Sequence, residues 1–455
     1  MSCHRRALSW WKQDQGTSKC TNVAVMQVAS ISSREVRGDR PPRPPPFDWR
    51  HKKYNFWNYA FDPMEKRFDD NTKVVVVEGM PAVGKNKFAK KLAEELDMVY
   101  FPAPSYDDAW INTYGFDLRT LNPQLPTDAQ FYDLESFLKD PTGRNTAAIQ
   151  AGMLQLRCYQ YIDVLTEVLS TGNGVVIQRC PWTDPNFMQA MLKNNYVSPG
   201  AYDFYKAAAV QTLPDLMRPH LHIYLDAPIS VVKDNIKKRN IPYEVNSKAL
   251  TDQYLNDLNH IYKEEYLREM SKHGHLLIYD WSKEGDIGVV VEDIERLDFD
   301  NVPDGSAKFH DWKYDHIQDM KEKRFEYHHE KQRLLLNLNV ARLDVPEMQI
   351  SAEDSVVLEQ VLERVNTRNY THKILRLKSR SSQVRHSMFT LFFSIPIRFP
   401  RKDTPQDSIL ITIKELCSSS TTPGKIYGLR NKRKRRRSNS KSFHFISIKK
   451  SNTHV

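Results

Sequence analysis

Cysteine is scarce in this chain and long apolar runs are missing. Five cysteines occur in 455 residues (Cys3, Cys20, Cys158, Cys180 and Cys417), an odd number with no C-x-x-C pair. That pattern excludes a disulfide framework and a cysteine zinc site, and it fits a reducing compartment. No stretch of about 18 apolar residues is present, so no membrane-crossing helix is expected. Also missing is any G-x-G-x-x-G, the fingerprint of a dinucleotide-binding strand–turn–helix.

Acidic residues are sparse at both ends. Residues 1–46 hold eight Lys/Arg against three acids and residues 376–455 hold nineteen against three, so the ends supply +5 and +16 of a formal +10. Residues 47–375 therefore carry −11, a sign that repels phosphate backbones and disfavours a nucleic-acid-binding core. The basic tail is what a nucleic-acid-associated reading would have to rest on.

The first 40 or so residues are rich in Arg and Ser and poor in acids (Arg5, Arg6, Ser30-Ile-Ser-Ser-Arg34, Arg37), the composition of a mitochondrial presequence or of a basic unstructured start. Pro41-Pro-Arg-Pro-Pro-Pro46 then breaks any helix and reads as an extended linker. The sequence divides into a presequence and linker at 1–46, an N-terminal extension at 47–72, a main domain at 73–301, a helical appendage at 302–375 and a basic tail at 376–455. Little stable structure is expected in that tail, which carries the apolar patch Met388 to Ile397 and Lys432-Arg-Lys-Arg-Arg-Arg437.

Within the main domain, short apolar runs alternate with helical patterns: Val74 to Val77, Gly174 to Ile177, Leu221 to Leu225 and Leu276 to Tyr279. Continuous runs of this kind are strands buried on both faces, as in a mostly parallel sheet with helices on either side. Phe88, Leu92 and Leu96, and again Tyr254, Leu258 and Ile261, recur at helical spacing, and Gly172 punctuates the helix ending at Leu169. The expected fold is a three-layer α/β domain of the P-loop NTPase kind.

The segment from Val74 through Gly79, Gly84, Lys85 and Asn86 is a G-x-x-x-x-G-K match placed after a buried strand and before an amphipathic helix. Its glycines let successive N–H groups turn inward at a helix N-terminus, where a phosphate is held and Lys85 reaches the outer phosphate oxygens. Asn86 stands where Ser or Thr supplies a Mg²⁺ ligand, which makes magnesium binding doubtful. The bland alternative is a glycine-rich turn that holds no ligand.

With that loop in place, the order of landmarks across residues 73–300, about half of the chain, resembles the deoxynucleoside kinase family and its divergent branch in respiratory complex I. The landmarks are Phe101-Pro-Ala-Pro104, Gln178-Arg179-Cys180 leading to Asp184, Tyr224 to Pro228, Lys237-Lys-Arg239 leading to Glu244, and Tyr254 to Tyr262. The resemblance implies nucleotide-binding roles for Gly79, Gly84, Lys85, Asn86, Arg179 and Arg239, with a purine nucleotide of ATP or deoxynucleotide type as ligand. It also shows departures. Ala103 stands in place of the carboxylate base unless Asp107 or Asp108 reaches in, Gln178 replaces an acid, and Ile241 stands near a second lid arginine. Structural alternatives stay open: a salt bridge for Arg179, a solvated helix position for Arg239, a core position for Cys180, and structural roles for His220 and His222. No catalytic residue and no metal ligand is expected. FAD, a cofactor attached to the complex I branch, finds no fingerprint here.

The implied role is an accessory subunit at the matrix side of the mitochondrial inner membrane, peripheral to it and held by other complex I subunits. An active mitochondrial deoxynucleoside kinase is the alternative. Aromatic segments at 54–61 and at Trp312 to Tyr314 are candidate interface anchors or local core. The Arg/Ser-rich start predicts import and cleavage upstream of Pro41, and N-terminal sequencing of the mature protein checks it. An intact Met1 start recovered from mitochondria would contradict it.

Overall fold

The computed structural model describes residues 30–38, 42–112, 115–301, 303, 305–314, 316–340 and 345–369. Residues 1–29 and the basic tail, with its apolar patch and basic hexamer, lie outside the described residues. Five strands, β1 (Val74–Gly79), β2 (Val99–Phe101), β3 (Val175–Gln178), β4 (Leu221–Asp226) and β5 (His275–Asp280), form one sheet in the order β2-β3-β1-β4-β5. Every pairing is parallel, with Val75 beside Val176 on one side and Leu221 on the other.

The helices follow from the chain order. α1 (Arg34–Arg37) and α2 (Phe56–Phe61) precede the sheet, and α3 (Lys85–Glu95) follows β1. Between β2 and β3 come α4 (Asp107–Trp110), α5 (Leu134–Lys139) and the long α6 (Thr146–Thr171). Between β3 and β4 come α7 (Asp184–Lys193) and α8 (Pro199–Thr212). α9 (Ile229–Arg239), α10 (Pro242–Val245), α11 (Asp252–Ile261) and α12 (Leu267–His273) lead to β5. α13 (Ile287–Glu295), α14 (Ile317–His329), α15 (Lys331–Leu336) and α16 (Ala352–Asn369) follow it.

Every residue of β1 and β3 is buried. Successive strand side chains point to opposite faces, so complete burial requires cover on both, which explains the unbroken Val runs. β2 is too short, at three half-buried residues, to have stood out in the sequence. α6 is buried almost all the way round because α14 and α15 pack on it. In the charged stretch after residue 302, α14 and α15 thus cover α6, with Tyr327, Leu334 and Leu338 in the core. α6 ends at Gly172, in the left-handed region at φ 74°, where an added Cβ would lie 2.3 Å from the Arg67 carbonyl oxygen.

Packing also starts further upstream than the proline-rich linker. Ile31 is fully buried, and Asn71 makes a reciprocal pair with the Ser32 backbone, accepting from its N–H at 2.9 Å and donating to its carbonyl at 2.8 Å. The Ser33 N–H donates to Glu295 at 2.7 Å. Residues 31–33 thus close one edge of the domain, although their composition reads as part of a leader.

A buried carboxylate locks the remaining extension. Asp62 is paired with both Arg67 and Arg324, whose side chains are 4% and 0% exposed. Arg67 also donates to the Ser170 carbonyl at 3.1 Å, and Arg324 donates to the Ser170 hydroxyl at 3.2 Å and lies 4.1 Å from the Tyr54 ring centre. Burial opposes ionisation of Asp62, but hydrogen bonds from Arg67 and Arg324 outweigh it and hold the carboxyl below its ordinary value.

Truncating Asp62 leaves two buried guanidiniums without their counter-ion. Asp62→Ala is expected to lower stability by about 3–5 kcal/mol in chemical denaturation. Because the folded carboxyl titrates below its unfolded value, the wild-type contribution is present above about pH 4 and fades as pH falls through the folded value. The difference between wild type and variant should therefore shrink in acid; a constant difference would remove the ionised clasp.

Candidate functional site

The strand order reverses at β1, whose neighbours are β3 and β4, and ligands of open parallel sheets bind outside the carboxyl ends of the strands at such a point. The loop leaving β1 there is tightly curled. Gly79, Ala82 and Gly84 all have positive φ, at 143°, 60° and 87°. A Cβ on Gly79 would lie 2.7 Å from the Leu225 carbonyl oxygen, so only glycine lets β1 turn against β4. Gly84 is the N-cap of α3, placing free N–H groups and the positive helix end at the mouth of the loop.

Lys85 is the first residue of α3 and is 8% exposed. Its ammonium donates to the Met80 carbonyl oxygen at 2.5 Å. Burial pushes its pKa well below the ordinary lysine value, Arg179 pushes it further, Glu78 opposes, and Arg239 and Arg157 add to the depression. Arg179 and Arg239 thus lie near enough to Lys85 to repel its ammonium. Such a cluster stores unfavourable charge that a polyphosphate relieves.

Arg179 follows β3 with φ 57°, a left-handed conformation that is costly for a residue with a Cβ. Its N–H bonds the Val77 carbonyl at 3.1 Å, and its guanidinium lies 4.6 Å from the Phe187 ring centre. Its buried Nε has no hydrogen-bond partner, and no salt bridge engages it among the described residues. Arg239 ends α9, is 46% exposed and is paired with Glu244, a partly solvated helix-end position.

Asn86 is tied up. Gln178 Nε2 donates to the Tyr100 hydroxyl at 2.6 Å, which donates to Asn86 Oδ1 at 2.8 Å. The two departures at 86 and 178 are thus joined through a tyrosine of β2, and the Asn86 amide oxygen accepts from it. Ala103, just past β2, offers no proton acceptor. Asp107 is paired with Arg119 at 2.6 Å, and Asp108 accepts from the Ser105 N–H at 2.8 Å. Asp184 is paired with buried Arg157 at 2.7 Å. Ile241 precedes α10 as its N-cap.

Sequence reasoning missed the buried network beneath the loop. Glu78, fully buried at the end of the Val run, accepts from Thr183 and, at 3.0 Å, from Tyr266. Burial raises its pKa against the effect of Thr183, and pushes the Cys180 thiol up to about 12. Glu78, Cys180 and His222 bring donor atoms within 4.8 Å of one another, a spacing a cation could use. The Tyr266 hydroxyl fills that place, 3.2 Å from Cys180 Sγ and 3.3 Å from His222 Nδ1. Tyr266 ends a π-helical turn, Tyr262–Tyr266, between α11 and α12, a local widening that aims it inward. His222 titrates near 3 because of burial and stays neutral, and His220 accepts from the Val74 N–H at 3.0 Å. A carboxylate at the end of an all-Val run is the signal that could have found Glu78.

Residues 75–317 match the deoxynucleoside kinase family. The chain is 31% identical over 296 residues to the mitochondrial NADH dehydrogenase [ubiquinone] 1 alpha subcomplex subunit 10 of Mus musculus, covering 64% of this chain and 78% of that protein. It is 32% identical over 240 residues to its Bos taurus counterpart, covering 52% and 68%. A deoxyguanosine kinase of Dictyostelium discoideum is 23% identical over 228 residues, covering 50% and 70%. Among solved structures, deoxyadenosine kinase from M. mycoides with bound dATP aligns with 49% of this chain and 96% of that one at a TM-score of 0.37 and 19% identity.

The depressed Lys85 gives a signed expectation. Folding favours its neutral form, so the cost is full below the folded pKa and vanishes as pH rises to the ordinary lysine range. Lys85→Met should raise the ligand-free melting temperature by a few degrees at neutral pH, with the gap closing in alkali. A lower melting temperature at all pH values would show that Lys85 is comfortably placed.

Proposed function

Because the chain belongs to the deoxynucleoside kinase family, we propose that it binds a purine nucleotide of ATP or deoxynucleotide type without turnover and acts as a non-catalytic accessory subunit of mitochondrial complex I. The proposed place is the matrix side of the inner membrane, peripheral to it and held by neighbouring subunits. No described helix is long and apolar enough to cross a membrane.

The observation that carries this reading is the imbalance of the site. Its cations converge, while the groups that phosphoryl transfer needs are absent or committed elsewhere. Lys85 and the N–H groups at the start of α3 hold the phosphates, and Arg179 and Arg239 neutralise them from the ends of β3 and α9. Transfer to a nucleoside hydroxyl needs a base for its proton and a metal bridging the phosphates. Ala103 has no acceptor, and Asn86 gives its oxygen to Tyr100. Nucleotide affinity should accordingly be indifferent to magnesium. The relatives' names supply the assembly, and a P-loop domain relieved of chemistry keeps a large buried core and broad outer faces for neighbours. The kinase alternative rests on Asp107 and Asp108 after β2, which would have to leave Arg119 and the Ser105 N–H.

Purified protein should melt higher with dGTP or ATP, with or without Mg²⁺, and Lys85→Ala should abolish the shift. Phosphate transfer from labelled ATP to deoxynucleosides should stay at background, and the subunit should co-migrate with complex I on native gels. Robust transfer lost in Lys85→Ala, together with migration as a free protein, would establish the kinase instead.

A further inference from the structure

Helix α2 presents an aromatic ledge to solvent. Phe56, Trp57 and Phe61 are 70%, 67% and 75% exposed. Their rings form one surface, Phe56 and Trp57 being 5.8 Å apart edge to face and Trp57 and Phe61 stacked at 6.0 Å with 9° between planes. Exposed aromatic area on this scale is costly unless something covers it.

The ledge is rigidly mounted. Asn55 caps α2 through a reciprocal capping box with Asn58. Immediately before it, Tyr54 is fully buried against Arg324 and donates its N–H to His328 Nδ1 at 3.2 Å. Immediately after Phe61, Asp62 is held by Arg67 and Arg324. Both ends are fixed in the core while the three rings face outward, so the exposure is a property of the folded state.

Charge decides what the ledge fits. Before α2, Arg50, Lys52 and Lys53 lie exposed with Asp48 the one exposed acid among residues 47–53, whereas after it Lys66 is offset by exposed Glu65 and Asp70. Protein interfaces surround aromatic anchors with few lysines, because a lysine is costly to desolvate. A membrane–water interface selects the combination found here: Trp and Phe seated at the headgroup level, with Lys and Arg against anionic phosphate. Residues 50–53 are a local excess of positive charge within a stretch, 47–375, that sums to −11, so an anionic surface favours contact through this segment.

We propose that α2 and the basic segment before it form a peripheral membrane-docking site for anionic phospholipid, with Trp57 and Phe61 seated among the headgroups and Lys52 and Lys53 on the phosphates. The site rests on the mitochondrial reading only for its choice of membrane. It orients the domain with α2 toward the bilayer and adds a lipid contact to those made with protein neighbours.

The test uses the full-length protein and vesicles of equal parts phosphatidylcholine and phosphatidylglycerol carrying brominated acyl chains. Wild type should bind these vesicles, bind pure phosphatidylcholine far less, and show tryptophan quenching on binding. Trp57→Phe should keep most of the binding and lose that quenching. The double variants Phe56→Ser/Phe61→Ser and Lys52→Glu/Lys53→Glu should each bind about tenfold more weakly at unchanged melting temperature. Adsorption with identical quenching in wild type and Trp57→Phe would assign binding to the basic tail and overturn the site. So would vesicle binding that neither double variant weakens. No vesicle binding, with Phe56→Ser/Phe61→Ser losing co-migration with complex I, would make the ledge a protein interface. Failure to bind vesicles with co-migration intact overturns the docking site and leaves the accessory-subunit reading standing.

Discussion

One carboxylate shared by two buried guanidiniums holds distant parts of this chain together. Asp62 lies between Arg67, only five residues on, and Arg324, which comes from a helix 262 positions away. Both arginines also reach Ser170 at the end of α6, so the N-terminal extension, the central helix and the C-terminal cover meet at a single charged point. Ion pairs of this kind gain little over apolar packing, but removing one partner is severe, which suits a device that fixes register. The direction in which α2 points and the cover over α6 both depend on it.

At the other end of the sheet the logic is inverted. The loop after β1 places Lys85 where no salt bridge balances it among the described residues, and Glu78, which opposes the depression of its pKa, is buried deeply enough for its own pKa to rise. A protein keeps such a cluster at a cost in stability, and a bound anion returns that cost as affinity. The clasp at Asp62 is internally neutralised and serves architecture. Lys85 and Arg179, by contrast, have no salt-bridge partner among the described residues, while Arg239 is paired with Glu244.

The sequence made visible whatever is local and periodic. The Val runs revealed β1 and β3 because both faces of those strands are buried, and Gly79, Gly84 and Lys85 were legible because the loop demands those residue types at fixed spacing. β2 was invisible at three residues. The Asp62 clasp and the Glu78, Thr183 and Tyr266 network were hidden because their partners are set by tertiary packing across 105 and 188 positions in the second case. The aromatic segments were ambiguous, and they divide: Tyr54 is core, Phe56, Trp57 and Phe61 are exposed, and Trp312 is locally used, donating to the Arg218 carbonyl at 2.7 Å and packing on His220. Ring identity alone carries no information on which side of a short helix a side chain will face.

The hydrogen-bonded line from Gln178 through Tyr100 to Asn86 makes three positions behave as one. A serine at position 86 is shorter than asparagine and leaves the Tyr100 hydroxyl without its acceptor. An acid at 178 removes the amide that donates to that hydroxyl and adds a charge beside it. A change at either end is therefore felt at the other through Tyr100, and the effects of substituting 86 and 178 do not add.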